Sequence, residues 1–135
     1  MAFLTWSDQY KVNIAEIDTQ HKKLFDLVND MHDAMRTGKG SEAIGKTLSA
    51  LLDYVKTHFS AEERIMSTNG YPDYAKHKQE HDALTKQALD LHKQFSEGKS
   101  VLSFDVMNFL KNWLSNHILG TDKKYTPFLN SKGVK

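Results

Sequence analysis

Apolar side chains recur with the period of an α-helix along most of this chain. In segment 41–65 the inward positions step alternately by four and three residues, which is the a/d pattern of a bundle helix. The segments from about Thr19 to Arg36, from Tyr74 to Phe95 and from residue 103 onwards follow the same period. The alternation of apolar and polar residues that marks a strand is absent, so the pattern predicts helices throughout.

Glycine, proline and serine residues indicate where these helices begin and end. We expect Ser41 and Ser103 to cap the second and fourth helices, and Pro72 to lie in the first turn of the third. Glycines fall between the periodic segments, as is typical of helix ends: Gly38, Gly40, Gly70, Gly98 and Gly120. Four helices with short connections predict an all-α, up-down-up-down four-helix bundle.

The first residues of the chain differ from the rest. Residues 1–18 contain aromatic side chains without a clear period, and we interpret them as an extended N-terminal arm packed on the bundle. The bundle itself is expected over residues 19–129. With 135 residues the chain is long enough to bury a substantial core, so we expect a single domain over residues 1–135.

Composition argues against several classes of function. The formal net charge is +1 and acids and bases are interspersed, so neither a nucleic-acid surface nor an anionic-membrane surface is indicated. Cysteine is absent, which leaves any metal to nitrogen and oxygen ligands. No apolar stretch approaches the roughly 20 residues that span a bilayer, and the N-terminus does not resemble a signal peptide. We therefore expect a cytoplasmic protein without membrane insertion.

A set of histidines and carboxylates lies on or beside the inward-facing positions of the predicted helices. It comprises His21, His58, Glu62, His77, His81, His117 and Asp122. A buried carboxylate is costly unless it is paired or bound to a metal. Each of the histidines taken singly could be an ordinary core or surface residue, but their joint placement on four helices favours a metal site. His32 and His92 lie one position off the main stripe and are interpreted as boundary residues.

The connectivity of the bundle gathers these candidates at one end. In an antiparallel arrangement, residues near the start of the first and third helices meet residues near the end of the second and fourth. One spacing is irregular, because His117 and Asp122 are five residues apart. That separation is about 140° around a regular helix, too far for both side chains to converge. We therefore predict a π-type turn or a break near Gly120.

The number of candidate ligands suits two metal ions. Suppose that three histidines bind one ion, two bind the other, and both carboxylates with one solvent-derived oxygen bridge them; one coordination position then stays open. Imidazole and carboxylate ligands in octahedral geometry suit iron, with manganese and zinc as alternatives. An open position on a redox-active pair could accept a small molecule such as O2. The Glu-x-x-His pairs of ferritin-like di-iron proteins and the His-Glu-x-x-His motif of zinc proteases are both absent.

Four segments that contain these residues resemble the hemerythrin family, and more closely its bacterial single-domain members, the bacteriohemerythrins. They are residues 17–25 (Ile-Asp-Thr-Gln-His-Lys-Lys-Leu-Phe), 58–63 (His-Phe-Ser-Ala-Glu-Glu), 70–81 (Gly-Tyr-Pro, then His-x-x-x-His) and 113–122 (Trp-Leu-Ser-Asn-His-Ile, then Asp). The resemblance spans nearly the whole chain, from about residue 6 to 128. It includes every one of the candidate ligands.

The resemblance implies a carboxylate-bridged di-iron centre with an oxo or hydroxo group between the two ions. The implied ligands are His77, His81 and His117 on a six-coordinate iron, His21 and His58 on a five-coordinate iron, and Glu62 with Asp122 as bridges. The implied activity is reversible binding of O2 for storage, transport or delivery, by a protein that is not an enzyme. An oxygen-consuming enzyme would receive the O2, and we expect a monomer.

Reversible O2 binding would require a dry, apolar pocket beside the metals. The candidates are the apolar side chains next to ligands in the sequence: Leu24, Phe25, Phe59, Trp113, Leu114 and Ile118. Leu114, one helical turn before His117, is the strongest, although plain core packing explains each of them equally well. Asp18, Gln20 and Tyr125 are candidates to orient the imidazoles. Sensing of O2 or redox state, and di-iron oxidase or peroxidase activity, stay as alternatives; the sequence contains no motif for the proton or electron donor that such an enzyme needs.

Overall fold

The computed structural model describes residues 4–38, 41–97 and 104–135. The main helices are α1 (Ala15–Arg36), α2 (Ser41–Thr68), α3 (Tyr74–Ser96), α4 (Phe104–Asn116) and the short α5 (Thr126–Ser131). A π-helical turn (His117–Thr121) and a 3₁₀ turn (Asp122–Tyr125) join α4 to α5, and a further 3₁₀ turn (Asp8–Tyr10) precedes α1. No strand occurs within the described ranges. The predicted all-α, up-down-up-down four-helix bundle is confirmed.

Two clusters of buried apolar side chains fill the bundle. The larger one includes Leu24, Phe59 and Leu114, and it occupies most of the space between the long helices. The smaller one includes Ile17, Met66 and Tyr125, and it packs the start of α1 and the end of α2 against the C-terminal segment. On each of these elements, the candidate ligands lie between a residue of the larger cluster and a residue of the smaller one. The polar site is therefore closed by apolar packing on both sides.

The N-terminal arm packs on the bundle, as its aromatic content indicated. The Leu4 N–H donates to the Asn29 side-chain oxygen, and the Asn29 amide donates back to the Leu4 carbonyl, each at 2.8 Å. The ring of Trp6 lies 5.2 Å from that of Phe25, edge to face. The arm is thereby fixed to α1 by paired polar and aromatic contacts.

Helix α1 begins at Ala15, four residues before the predicted start at Thr19. The reason is that Ile17, which is buried, continues the same apolar stripe one turn before His21. The Val12 N–H also donates to the Asp18 carboxylate at 2.7 Å, which ties the arm to the first turn of α1. The predicted start was late because the stripe was counted only from His21.

The other predicted helix ends had mixed outcomes. Pro72 was predicted in the first turn of α3, but the structure places it in the turn before that helix, which begins at Tyr74. Gly70, at a φ of 71°, ends the preceding helix in the left-handed conformation that glycine adopts without strain. Ser41 is the first residue of α2. The structure does not describe the Ser41 side chain or any part of Ser103, so the two predicted caps stay predictions. No helix in the described ranges has both the length and the apolar character to span a bilayer.

Candidate metal centre

The structure brings the seven candidate ligands together in the interior, where each has a relative exposure of 4% or less. They form two overlapping groups, and within each group one ligand atom per residue lies within 4.8 Å of all the others. One group contains His77, His81 and His117, the other contains His21 and His58, and both contain the two carboxylates. The unequal division of three and two histidines expected from the sequence is thus a feature of the fold.

Helix geometry accounts for two pairs of these residues. His58 and Glu62 are four residues apart on α2, and His77 and His81 are four apart on α3. Residues at this spacing lie on the same face of a helix, one turn above the other. Each pair therefore points into the bundle from a single rigid element.

The irregularity predicted near Gly120 is confirmed. Residues His117–Thr121 form a π-helical turn, in which the Asp122 N–H is shared between the carbonyls of His117 and Ile118. The extra residue in this turn reduces the angle between the two side chains that a regular α-helix would hold apart. As a result, His117 Nε2 lies 3.0 Å from Asp122 Oδ1.

Each carboxylate offers one oxygen to each group of histidines. Asp122 Oδ1 lies 2.9 Å from His77 Nε2, while its Oδ2 lies 3.1 Å from His21 Nε2. Glu62 Oε1 contacts His58 Nε2 and lies 3.8 Å from His21 Nε2. Glu62 Oε2 lies 3.8 Å from His77 Nε2 on the other side. This arrangement is that of two carboxylates bridging a pair of cations.

The nitrogen and oxygen atoms of the candidate ligands are better suited to binding metal ions than to hydrogen bonding with one another. Among the described residues, several buried polar atoms that face this centre make no hydrogen bond: Nε2 of His21, His58 and His77, and both carboxylate oxygens of Glu62 and Asp122. Leaving so many buried polar atoms without a hydrogen bond would be costly in free energy. Imidazole nitrogens and carboxylate oxygens are suitable ligands for iron, manganese and zinc. Two such ions would satisfy all of these atoms at once.

Without a metal ion, protons on two of the ligand imidazoles offset the negative charge of the carboxylates. Burial disfavours a charged imidazole, yet the carboxylates of Asp122 and Glu62 raise the pKa of His21 to about 9. Against the same effect of burial, Asp122 and Glu80 raise the pKa of His117 to about 10. Burial lowers the pKa of His81 to about 3, which keeps this ligand neutral. Metal ions that bind here must therefore displace protons from His21 and His117.

The outer nitrogens of three ligand imidazoles are hydrogen-bonded. His58 Nδ1 donates to the Gln20 side-chain oxygen at 2.6 Å. The His81 and His117 Nδ1 atoms donate to carboxylates, at 2.9 Å from Glu63 and 3.0 Å from Glu80. Such partners hold a proton on Nδ1, so that Nε2 is the nitrogen of each ring that faces the metal position.

Of the three residues proposed from the sequence to orient the imidazoles, only Gln20 contacts one through a hydrogen bond. The Asp18 carboxylate instead accepts from the Val12 N–H. The Tyr125 ring stacks on His77, with centroids 5.6 Å apart and planes 15° apart, but its buried hydroxyl makes no hydrogen bond within the described residues. Glu63 and Glu80 were missed; their one sequence signal was that each directly adjoins a ligand in the chain, which also suits a solvent-facing charge.

The six candidate pocket residues are all buried in the larger apolar cluster. Phe59 is the one with ring contacts to the imidazoles, since it stacks on His81 at 3.9 Å and lies 5.6 Å from His117. Trp113 packs behind it, with ring centroids 6.2 Å apart. The ring contacts of Phe25 are with the N-terminal arm. Phe59 thus forms an apolar wall beside the three-histidine group.

Known proteins resemble this chain in sequence and in fold. Residues 12–129 match the family model described as the hemerythrin HHE cation binding domain. A bacteriohemerythrin from Methylococcus capsulatus (strain Bath) is 46% identical over 132 residues, which cover 97% of this chain and 100% of the relative. A hemerythrin-like protein from Naegleria gruberi is 38% identical over 120 residues, covering 89% of this chain and 88% of the relative.

Solved structures agree with this assignment. The crystal structure of a wild-type hemerythrin superimposes with a TM-score of 0.90 at 44% identity, covering 95% of this chain and 98% of that one. A variant hemerythrin in which a leucine is replaced by alanine gives 0.91 at the same identity, with 96% and 98% covered. The buried ligand set supports the di-iron centre that the family carries. The chain therefore belongs to the hemerythrin family, as a di-iron oxygen-binding protein.

Proposed function

We propose that this protein binds O2 reversibly and serves in storage, transport or delivery of O2 to an oxygen-consuming enzyme. The observation that carries the proposal is the unequal pair of histidine groups that share two carboxylates. One group has three imidazoles and the other has two. If both carboxylates serve the two groups equally, a metal in the two-histidine group has one protein ligand fewer. A cytoplasmic location and a monomeric state stay predictions from the sequence.

The ligands divide as follows in this proposal. His77, His81 and His117 would hold one iron, His21 and His58 would hold the other, and Glu62 with Asp122 would contribute to both. Bound iron would supply the redox chemistry that O2 binding requires. The chain supplies the rest: Gln20, Glu63 and Glu80 orient the imidazoles, and the bundle buries them.

Reversibility depends on keeping water and protons away from the ligand. We assign this role to Leu24, Phe25, Phe59, Trp113, Leu114 and Ile118, which are all buried in one apolar cluster. A phenol lies beside the ligands, because the Tyr125 ring stacks on His77. Burial, with the charges of Glu62 and Asp122, raises the pKa of Tyr125 well above its usual value, so this phenol keeps its proton at neutral pH. These surroundings favour binding of O2 over its reduction.

Oxygenation of the reduced, iron-loaded protein tests the proposal. We expect a new absorption band when air is admitted to the anaerobic protein, and its loss when O2 is removed, over repeated cycles. Continuous consumption of a reductant with O2 or peroxide would instead indicate an oxidase or peroxidase. A single irreversible oxidation that alters binding to another protein would favour a sensor, and either outcome would overturn the proposal.

Leu114→Ala should speed autoxidation of the oxygenated protein by roughly 10-fold. Leu114 is buried in the cluster beside the ligands, and truncating it opens a cavity through which water could reach the site. The rate is measured as decay of the oxygenated absorption band. Because such a truncation can also cost about 2–5 kcal/mol of stability, the thermal midpoint is recorded in parallel.

The matched control is Leu89→Ala, the same substitution on α3 at a side chain that is 42% exposed. It should leave the autoxidation rate unchanged. An equal rate for wild type and Leu114→Ala would remove this residue from the proposed pocket.

A further inference from the structure

Glu80 contacts both ends of the π-helical turn. Its Oε1 accepts a hydrogen bond from His117 Nδ1 at 3.0 Å. The Thr121 hydroxyl lies 2.9 Å from Oε1 and 2.8 Å from Oε2 of the same carboxylate. Since His117 and Thr121 are the first and last residues of the turn, a single side chain from α3 connects the two.

Besides α3, the 3₁₀ turn Asp8–Tyr10 packs against the π-helical turn, but no hydrogen bond between these two turns is found among the described residues. A Cβ added at Gly120 would meet no atom within 4 Å, so no neighbouring group packs against this position. Leu119 is 39% exposed, while Ile118 in the first half of the turn is buried. A π-helical turn is a rare conformation that persists where the surroundings fix it. Among the described side chains, Glu80 is the one with hydrogen bonds to both ends.

We propose that Glu80, together with Thr121, is a positioning pair that holds the π-helical turn closed and thereby sets the approach of His117 to Asp122. The convergence of these two ligands requires the turn, and the turn is joined to α3 through this carboxylate. The pair acts through His117 and does not reach the metal position itself. The inference rests on the metal centre and is independent of whether O2 binds reversibly.

Glu63 provides a natural comparison for Glu80. It also accepts a hydrogen bond from a ligand imidazole, that of His81, at 2.9 Å. His81 lies within the regular helix α3, whose own hydrogen bonds fix its backbone. Loss of the Glu63 carboxylate should therefore affect the ligand alone, whereas loss of the Glu80 contacts should also loosen the turn.

The decisive variants are Thr121→Val and Thr121→Ser in the iron-loaded protein. Valine nearly matches threonine in shape but lacks the hydroxyl, while serine restores it. Two quantities are measured: hydrogen–deuterium exchange of amides in residues 117–125, and the rate of iron loss to a chelator. We expect Thr121→Val to raise the rate of iron loss by about 10-fold, within the range found for outer partners of metal ligands, and to speed amide exchange in residues 117–125. Thr121→Ser should return both rates towards wild type.

Two further substitutions complete the experiment. Glu80→Gln keeps an oxygen that can accept from Thr121 and should fall between wild type and Glu80→Ala. Asp90→Asn, the same change at an exposed position of α3, and Glu63→Gln should leave exchange in residues 117–125 unchanged. Wild-type exchange and iron retention in Thr121→Val would overturn the proposal, as would equal loosening of the turn by Glu63→Gln. Neither measurement involves O2, so failure here is separable from failure of the proposed function.

Discussion

Glu62→Gln is expected to abolish the two-iron site. The Glu62 carboxylate lies between the histidine groups, with Oε1 against His58 and Oε2 towards His77. An amide keeps the shape but loses the negative charge and offers only one good oxygen ligand. The loss of affinity should exceed the roughly 10–100-fold that follows removal of an outer partner. Elemental analysis should give clearly fewer than two iron ions per chain.

The neighbouring substitution Glu63→Gln is the matched control. Its carboxylate contacts the outer nitrogen of His81 and lies outside both ligand groups. We expect this variant to keep two iron ions per chain at weaker affinity. Full iron content in Glu62→Gln would show that Glu62 is not a bridging ligand.

Removal of iron is the second large effect, and it should lower the thermal midpoint by on the order of 10 °C at neutral pH. A ligand present at 1,000 times its dissociation constant stabilises the folded state by about 4 kcal/mol, and a chain of this length shifts by a few degrees per kcal/mol. Calorimetry of the iron-loaded and metal-free proteins measures the difference.

The difference in thermal midpoint between the iron-loaded and metal-free proteins should grow as pH rises. In the metal-free protein the pKa values of His21 and His117 are raised, to about 9 and about 10. Their protonation stabilises the metal-free fold fully below about pH 6.5, and this contribution is lost as pH rises through the raised values. Iron competes with the same protons, so its affinity increases over the same window. A difference that shrinks between pH 6.5 and 9 would contradict this account.

The sequence predicted the bundle and the convergence of polar residues because both follow from helical period. His58 with Glu62, and His77 with His81, share inward faces through a spacing of four, which any regular helix preserves. The π-helical turn was predictable for the opposite reason, since a spacing of five between His117 and Asp122 is incompatible with a regular helix. In each case the backbone alone determines the direction of the side chain.

Side-chain contacts between different helices were harder to predict from the sequence. Glu63 and Glu80 are partly exposed and lie beside the inward positions, so they resemble surface charges. Only the packing of α2 and of the π-helical turn against α3 brings them to His81 and His117, and the period of a single helix does not contain that information. Thr121 was missed in the same way, because its role depends on where α3 passes.

The smaller apolar cluster, in which the two ends of the chain meet beside the end of α2, has a consequence for stability. Thr126 donates to the Val12 carbonyl and Asn130 to that of Asn13, across more than a hundred residues of sequence. His21 and Asp122 meet beside these contacts, so a metal ion held by both is a cross-link between the ends of the chain. Because these ligands converge only in the folded chain, such an ion binds the folded state alone and stabilises it by mass action. Bound iron would therefore join the two ends of the chain only while the protein is folded, in a sequence that has no cysteine for a permanent link.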